Sequence, residues 1–297
     1  MQAIDRVVFG DNQFFGINHM SQDKAQALSE RFHHLDAIFD VYRMAFDTGV
    51  RAVMLNSNDR AAEICDRFRA EKSRLPEIAW YPSIPYPHKY ANLVAEKGLV
   101  GALQSVVFHD SAIGGLGRLV QGGMALVSRD GMQIMRTLVD AEMAMFRGLN
   151  VRVVFVQNIV VDLLLGLGVK DFFVDYCEHI RRKYGATPGF ITQNLPALRD
   201  ALIGWGIRDV VICASVNKIG YLMSPSIAAC EAALRANDPA DYQIMAMSTL
   251  ASGAIPAVEA YDYVNTQNIQ SVVFGASSRG NIEQTVKLIA ARPGSAQ

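Results

Sequence analysis

Apolar residues along this chain follow two alternating periods. Short runs rich in β-branched and aromatic residues read as buried strands: Arg6-Val7-Val8-Phe9, Val50 to Leu55, Ile78-Ala79-Trp80-Tyr81 and Val151 to Val156. Gly189 to Asn194, Asp209 to Ala214, Gln243 to Met247 and Gln270 to Phe274 continue the series. Between them, apolar positions recur at spacings of three and four. Leu28, Phe32, Leu35, Ile38, Val41, Tyr42 and Ala45 mark an amphipathic helix or a broken pair of helices. Further helices are expected over Ala61 to Ala70, His88 to Phe108, Asp130 to Arg147, Asp171 to Tyr184, through Trp205, and over Pro225 to Ala236. Eight strand–helix alternations with short joints predict parallel βαβ units closed into a (β/α)8 TIM barrel, one domain over 1–297. No Gly-x-Gly-x-x-Gly follows the first strand, which weakens a doubly wound sheet. Asp110 to Gly123 breaks the alternation with a glycine-rich stretch, read as a lid-like insertion over about 109–130, between strands three and four.

Composition agrees with a soluble enzyme. Apolar residues make up 51%, charged residues 19%, and the net charge is -1. There is no like-charge run for nucleic acid or an anionic membrane, and no apolar stretch long enough to span a bilayer. The N-terminus has no basic region followed by an apolar one, so a cytoplasmic protein is expected. Cys65, Cys177, Cys213 and Cys230 are scattered, as reduced core thiols would be.

In such barrels the chemistry gathers where strands end, and the loops after strands seven and eight commonly grip phosphate. Here those loops are Ser248-Thr249-Leu250-Ala251-Ser252-Gly253 and Gly275-Ala276-Ser277-Ser278-Arg279, both rich in small residues before a helix N-terminus. Arg279 can pair with a phosphate. Among possible acid/base groups, His19 follows the polar-aromatic loop after strand one, and Tyr81 sits at the expected end of strand three. Asn56 suits a substrate hydroxyl, and Asp59 suits a helix cap. Lys218 follows strand six, where barrel lyases place a Schiff-base amine, although strand alternation turns it away from Asn217. No His-x-His or carboxylate cluster has metal-ligand spacing.

Several of these stretches resemble the aldo-keto reductase superfamily. Gly10 to Gly16 is similar to the family's first strand end, and Ala45-Phe46-Asp47-Thr48-Gly49-Val50 to its helix into strand two. Thr192-Gln193-Asn194 and Val216-Asn217 resemble its fifth and sixth strand ends. Met247 to Gly253 resembles its Ser-Pro-Leu-Ala-x-Gly loop, with Thr249 for proline, and Phe274 to Ser278 its strand-eight phosphate loop. The resemblance implies an NADP site held by Asn194, Asn217, Ser248, Leu250, Gly253, Gly275, Ser277, Ser278 and Arg279.

The family's catalytic tetrad is not matched. Leu55-Asn56-Ser57 stands where its aspartate follows strand two, Trp80-Tyr81-Pro82-Ser83 where its lysine ends strand three, and Gln157-Asn158 where its histidine ends strand four. The leading expectation is therefore NADP-dependent reduction of a carbonyl or imine on a small-molecule substrate, with His19 or Tyr81 as the substitute proton donor. The rivals are a lyase or isomerase acting on a phosphorylated substrate through His19 or Lys218, and a non-catalytic ligand-binding barrel. An oligomer is compatible with all three.

Overall fold

The structure is a computed structural model that describes residues 2–15, 30–85 and 129–291. His19, the expected helix from His88 to Phe108 and the insertion as far as residue 128 lie outside the described residues.

The strands are β1 (Val7–Phe9), β2 (Ala52–Asn56), β3 (Ala79–Ile84), β4 (Asn150–Val151) and β5 (Val153–Val156). They continue with β6 (Thr187–Thr192), β7 (Val210–Ser215), β8 (Tyr242–Met247) and β9 (Ser271–Phe274). Every pairing is parallel, in the order β2-β1-β9-β8-β7-β6-β5-β3-β4, and a further β2–β3 pairing closes the ring. Both β4 and β5 pair with β3, so they are two halves of one stave interrupted at Arg152, and the barrel has the eight staves expected.

Helices on the outside follow the strands: α1 (Leu35–Asp47), α2 (Ala61–Ala70), α3 (Arg129–Met143), α4 (Asn158–Gly166), α5 (Lys170–Tyr184), α6 (Leu195–Trp205), α7 (Ile227–Arg235), α8 (Ala257–Asn265) and α9 (Arg279–Ala290). Local chemistry sets their ends. Asn194, Ser226 and Ser278 cap α6, α7 and α9 by accepting N–H groups three residues on, and the left-handed Gly185 and Gly206 stop α5 and α6.

Strand alternation divides the apolar side chains into two cores. One face packs against the helices; the other fills the lumen with Val8, Met54, Tyr81, Phe155, Cys213 and Met245. Gly189 makes this lumen possible, because a Cβ there would lie 2.5 Å from the Phe155 ring. All four cysteines are buried and unpaired, and burial pushes the thiols of Cys65 and Cys177 up to about 12.

Two expectations need correction. Strand three does not end at Tyr81: its pairing with β2 runs on through Leu55↔Pro82 and Asn56↔Ser83. Asp59 does not cap the next helix: its N-cap position is Arg60, no side chain caps it, and Asn58 Oδ1 accepts the Arg60 N–H at 2.9 Å in the turn before it.

Candidate functional site

The strand phase that buries Met54, Tyr81, Phe155 and Cys213 in the lumen also points the residues two further on into its C-terminal mouth. These are Asn56, Ser83, Gln157 and Ser215. Asp11 enters the same layer from the turn after β1. Its carboxylate accepts the Asn56 backbone N–H at 2.9 Å and the Asn56 Nδ2 at 2.6 Å, with Asn58 Nδ2 at 3.4 Å. Gln157 Nε2 donates to Asn56 Oδ1 at 2.5 Å and to Ser83 Oγ at 2.7 Å. One hydrogen-bonded network thus ties together the ends of the first four staves.

Asp11 is the titratable centre of that network. It is 2% exposed, and burial pushes its carboxyl up from 3.8 to about 7, against the opposing pull of the Asn56 hydrogen bonds. A carboxyl held near neutrality at a barrel mouth is suited to giving and taking a proton. The phenol of buried Tyr42 is raised by its own desolvation and then by the nearby charge of Asp11.

Tyr81 belongs elsewhere. Its hydroxyl donates to Asp5 Oδ2 at 2.6 Å and accepts the Asp5 N–H at 3.0 Å, and Arg152 reaches the same carboxylate at 3.3 Å. Asp5 precedes β1, so the tyrosine faces the N-terminal end of the barrel, away from the strand-end mouth. Burial, then the Asp5 bond, raises its phenol beyond any working pH. Lys218 is also displaced from the lumen: it is half-exposed and pairs with Glu259 at 2.7 Å. Neither position supports the catalytic role expected of it.

Two asparagines of the expected cofactor half are already engaged. Asn194 Oδ1 caps α6 through the Ala197 N–H at 3.2 Å. Asn217 is fully buried; it donates to Tyr221 O at 2.8 Å and Ser248 O at 3.3 Å, and accepts the Tyr221 N–H at 2.8 Å. It clamps the loops after β7 and β8 together. Gln193, just before Asn194, has its N–H held by Asp162 of α4 at 3.0 Å.

The loop after β8 is conformationally special. Ser248, Ala251 and Ser252 hold φ of 54°, 47° and 59°, and Gly253 follows at 89°. Left-handed backbone at three non-glycine residues is costly and collects at functional loops. Leu250 is half-buried against the cluster of Ala251, Ile255 and Ala260, and its carbonyl accepts the Gly253 N–H at 2.8 Å.

In the loop after β9, the Gln13 carboxamide lies so close that a Cβ on Gly275 would fall 2.3 Å from Gln13 Oε1, and Gln13 Nε2 donates to Gly10 O at 2.8 Å. Further along it, Arg31 donates to Ser277 O at 2.8 Å and Ser277 Oγ at 3.4 Å, Ser278 caps α9, and exposed Arg279 pairs with Asp47 at 2.9 Å. Two guanidinium groups therefore flank the start of α9. Among the described residues no group of three or more His, Cys, Asp or Glu could hold a metal, and no helix is long and apolar enough to cross a membrane.

Asp11, Gln13 and Arg31 are the site residues that strand-end reasoning missed. The first two sit in a loop whose return onto the next stave has no signature in sequence, and Arg31 reaches Ser277 across 246 positions.

No family model and no curated protein matches the sequence. Solved structures do match its fold. A Pseudomonas aeruginosa protein named provisionally as an aldo-keto reductase superimposes with a TM-score of 0.60 at 11% identity, over 97% of this chain and 91% of that one. An aldo/keto reductase from Brucella melitensis gives 0.50 at 10% identity, over 97% and 90%. At such identities the likeness establishes the (β/α)8 barrel and its strand order, not the reaction.

Proposed function

We propose that this chain is a small-molecule oxidoreductase of the aldo-keto reductase type, in which Asp11 supplies the proton to a carbonyl or imine reduced at the barrel mouth. The observation that carries this reading is the Asp11–Asn56 pair, a buried carboxyl poised near neutrality where strand ends converge.

The residues present fit the anionic part of a nicotinamide dinucleotide. Ser277, Ser278 and the N-terminus of α9 offer N–H and hydroxyl groups, and Arg31 and Arg279 offer charge for a 2′-phosphate, which favours NADP over NAD. Asn194 and Asn217 contribute by fixing the loops around the site rather than through free amides. A nicotinamide bound there would supply hydride to the substrate carbon. Asp11 then gives its proton to the substrate oxygen or nitrogen, and the carboxylate left behind is held by the two Asn56 N–H groups. His19, from the segment that follows Asp11 in sequence, is the second candidate donor.

A second reading keeps Asp11 and the Ser277–Arg279 loop but uses them on a phosphorylated substrate, as a non-redox isomerase or lyase. Its support is that a buried carboxyl near neutrality and two guanidinium groups beside a helix N-terminus suit acid/base work on a phosphorylated substrate equally well. Fluorescence titration with NADPH and NADP separates the two. The oxidoreductase reading predicts micromolar binding weakened at least tenfold in Arg31→Ala and Arg279→Ala. No binding at millimolar cofactor would leave the isomerase or a non-catalytic barrel.

A further inference from the structure

Gln13 and Ser215 each hold a buried oxygen with no hydrogen-bond partner, Oε1 in the first and Oγ in the second. Their side chains are 8% and 2% exposed. An orphaned polar atom out of reach of water is costly, and such atoms commonly mark the place of a missing partner. Both belong to the mouth. Ser215 continues the inward phase of Val211 and Cys213 on β7, and Gln13 lies over Gly10 and Gly275 at the ends of β1 and β9. The inward layer between them is made of neutral hydrogen-bonding groups, Asn56, Ser83 and Gln157, already joined to one another. The flanking arginines are engaged elsewhere, Arg31 with Ser277 and Arg279 with Asp47.

We infer that Gln13 and Ser215 are specificity-determining residues, accepting hydrogen bonds from two N–H or O–H groups of a neutral substrate held beside Asn56. The inference rests on the reading that the mouth is the substrate site, but not on any cofactor. An anionic substrate is disfavoured on the same grounds. A carboxylate or phosphate inside this layer would face Gln13 Oε1 and the Asp11 carboxyl, and among the described residues the inward strand-end positions Asn56, Ser83, Gln157 and Ser215 contribute no cation. A neutral amide or polyol instead offers donors to both orphaned oxygens and replaces the water it gives up. Rejection then follows from unpaired groups, the mechanism by which a polar site discriminates most strongly.

The test pairs molecules of one shape and two charges: lactamide against lactate, and glyceraldehyde against glyceraldehyde 3-phosphate. Binding to the full chain without cofactor is read by saturation-transfer NMR. The neutral member of each pair should bind at least tenfold more tightly, and Ser215→Ala and Gln13→Leu should each weaken it at least tenfold. Ser215→Ala should also leave the unfolding temperature of the empty protein equal or higher, because it removes an unsatisfied atom. Preference for the anionic members, no neutral binding, or neutral binding untouched in both variants would overturn the inference. Loss of NADPH binding with lactamide binding retained would sink the redox reading alone.

Discussion

Asp11 and Asn56 are joined twice, once through the backbone N–H of Asn56 at 2.9 Å and once through its side-chain amide at 2.6 Å. The pair locks the turn after β1 onto the end of β2 and removes the carboxylate from water. Burial brings its carboxyl up to about 7, while the two Asn56 hydrogen bonds pull the other way by favouring the charged form.

That shift makes stability depend on pH. The folded Asp11 keeps a proton that the unfolded chain releases above 3.8, so folding loses stability as pH rises from about 4 to about 7. The loss approaches about 1.4 kcal/mol per pH unit inside that window. Urea unfolding at pH 5 and pH 7 should show native protein weaker at pH 7, with the difference reduced in Asp11→Asn. An identical pH dependence in the variant would place the titration elsewhere.

Tyr81→Phe should cost about 1–2 kcal/mol by removing the hydrogen bonds with Asp5, while turnover per folded molecule stays within about twofold. A hundredfold loss of turnover in a fully folded variant would restore Tyr81 as the proton donor.

Gly189→Ala forces a methyl group to within 2.5 Å of the Phe155 ring inside the lumen. Overpacking of this kind costs about 1–3 kcal/mol. An unchanged unfolding temperature would mean that the lumen has slack the packing does not show.

Lys218→Met should change neither turnover nor stability beyond about 0.5 kcal/mol, since the residue's ion pair with Glu259 is exposed. Borohydride in the presence of a carbonyl substrate should leave no adduct on this lysine. A trapped adduct would establish the lyase reading in place of the oxidoreductase.

The barrel was legible because each apolar run bounded by small residues became a stave, and the α2 bounds, Ala61–Ala70, match the periodicity in full. Helix α4 was not. Val160, Val161 and Leu164 are buried on one side, but Ile159, Leu163 and Leu167 are exposed on the other, so the segment lacks the polar contrast from which a helix is read. Pro82 misled in the opposite direction. A proline after Tyr81 favours a strand end in sequence, whereas β3 continues two residues beyond Pro82 to Ile84 and leaves the tyrosine mid-strand. Extending the alternation of each strand by two residues identifies Asn56, Ser83, Gln157 and Ser215 from sequence. It does not identify Asp11, whose position depends on a loop folding back across the end of β2.

The central claim is tested most directly by the pH profile of NADPH-dependent reduction of a small carbonyl probe such as glyceraldehyde, in native protein and Asp11→Asn. Reduction needs the protonated acid, so the native rate should fall as pH rises through about 7, and the variant should be slower by about 100-fold or more at every pH below that. A variant with the native rate and the native pH profile would contradict the account, and His19 would become the leading proton donor.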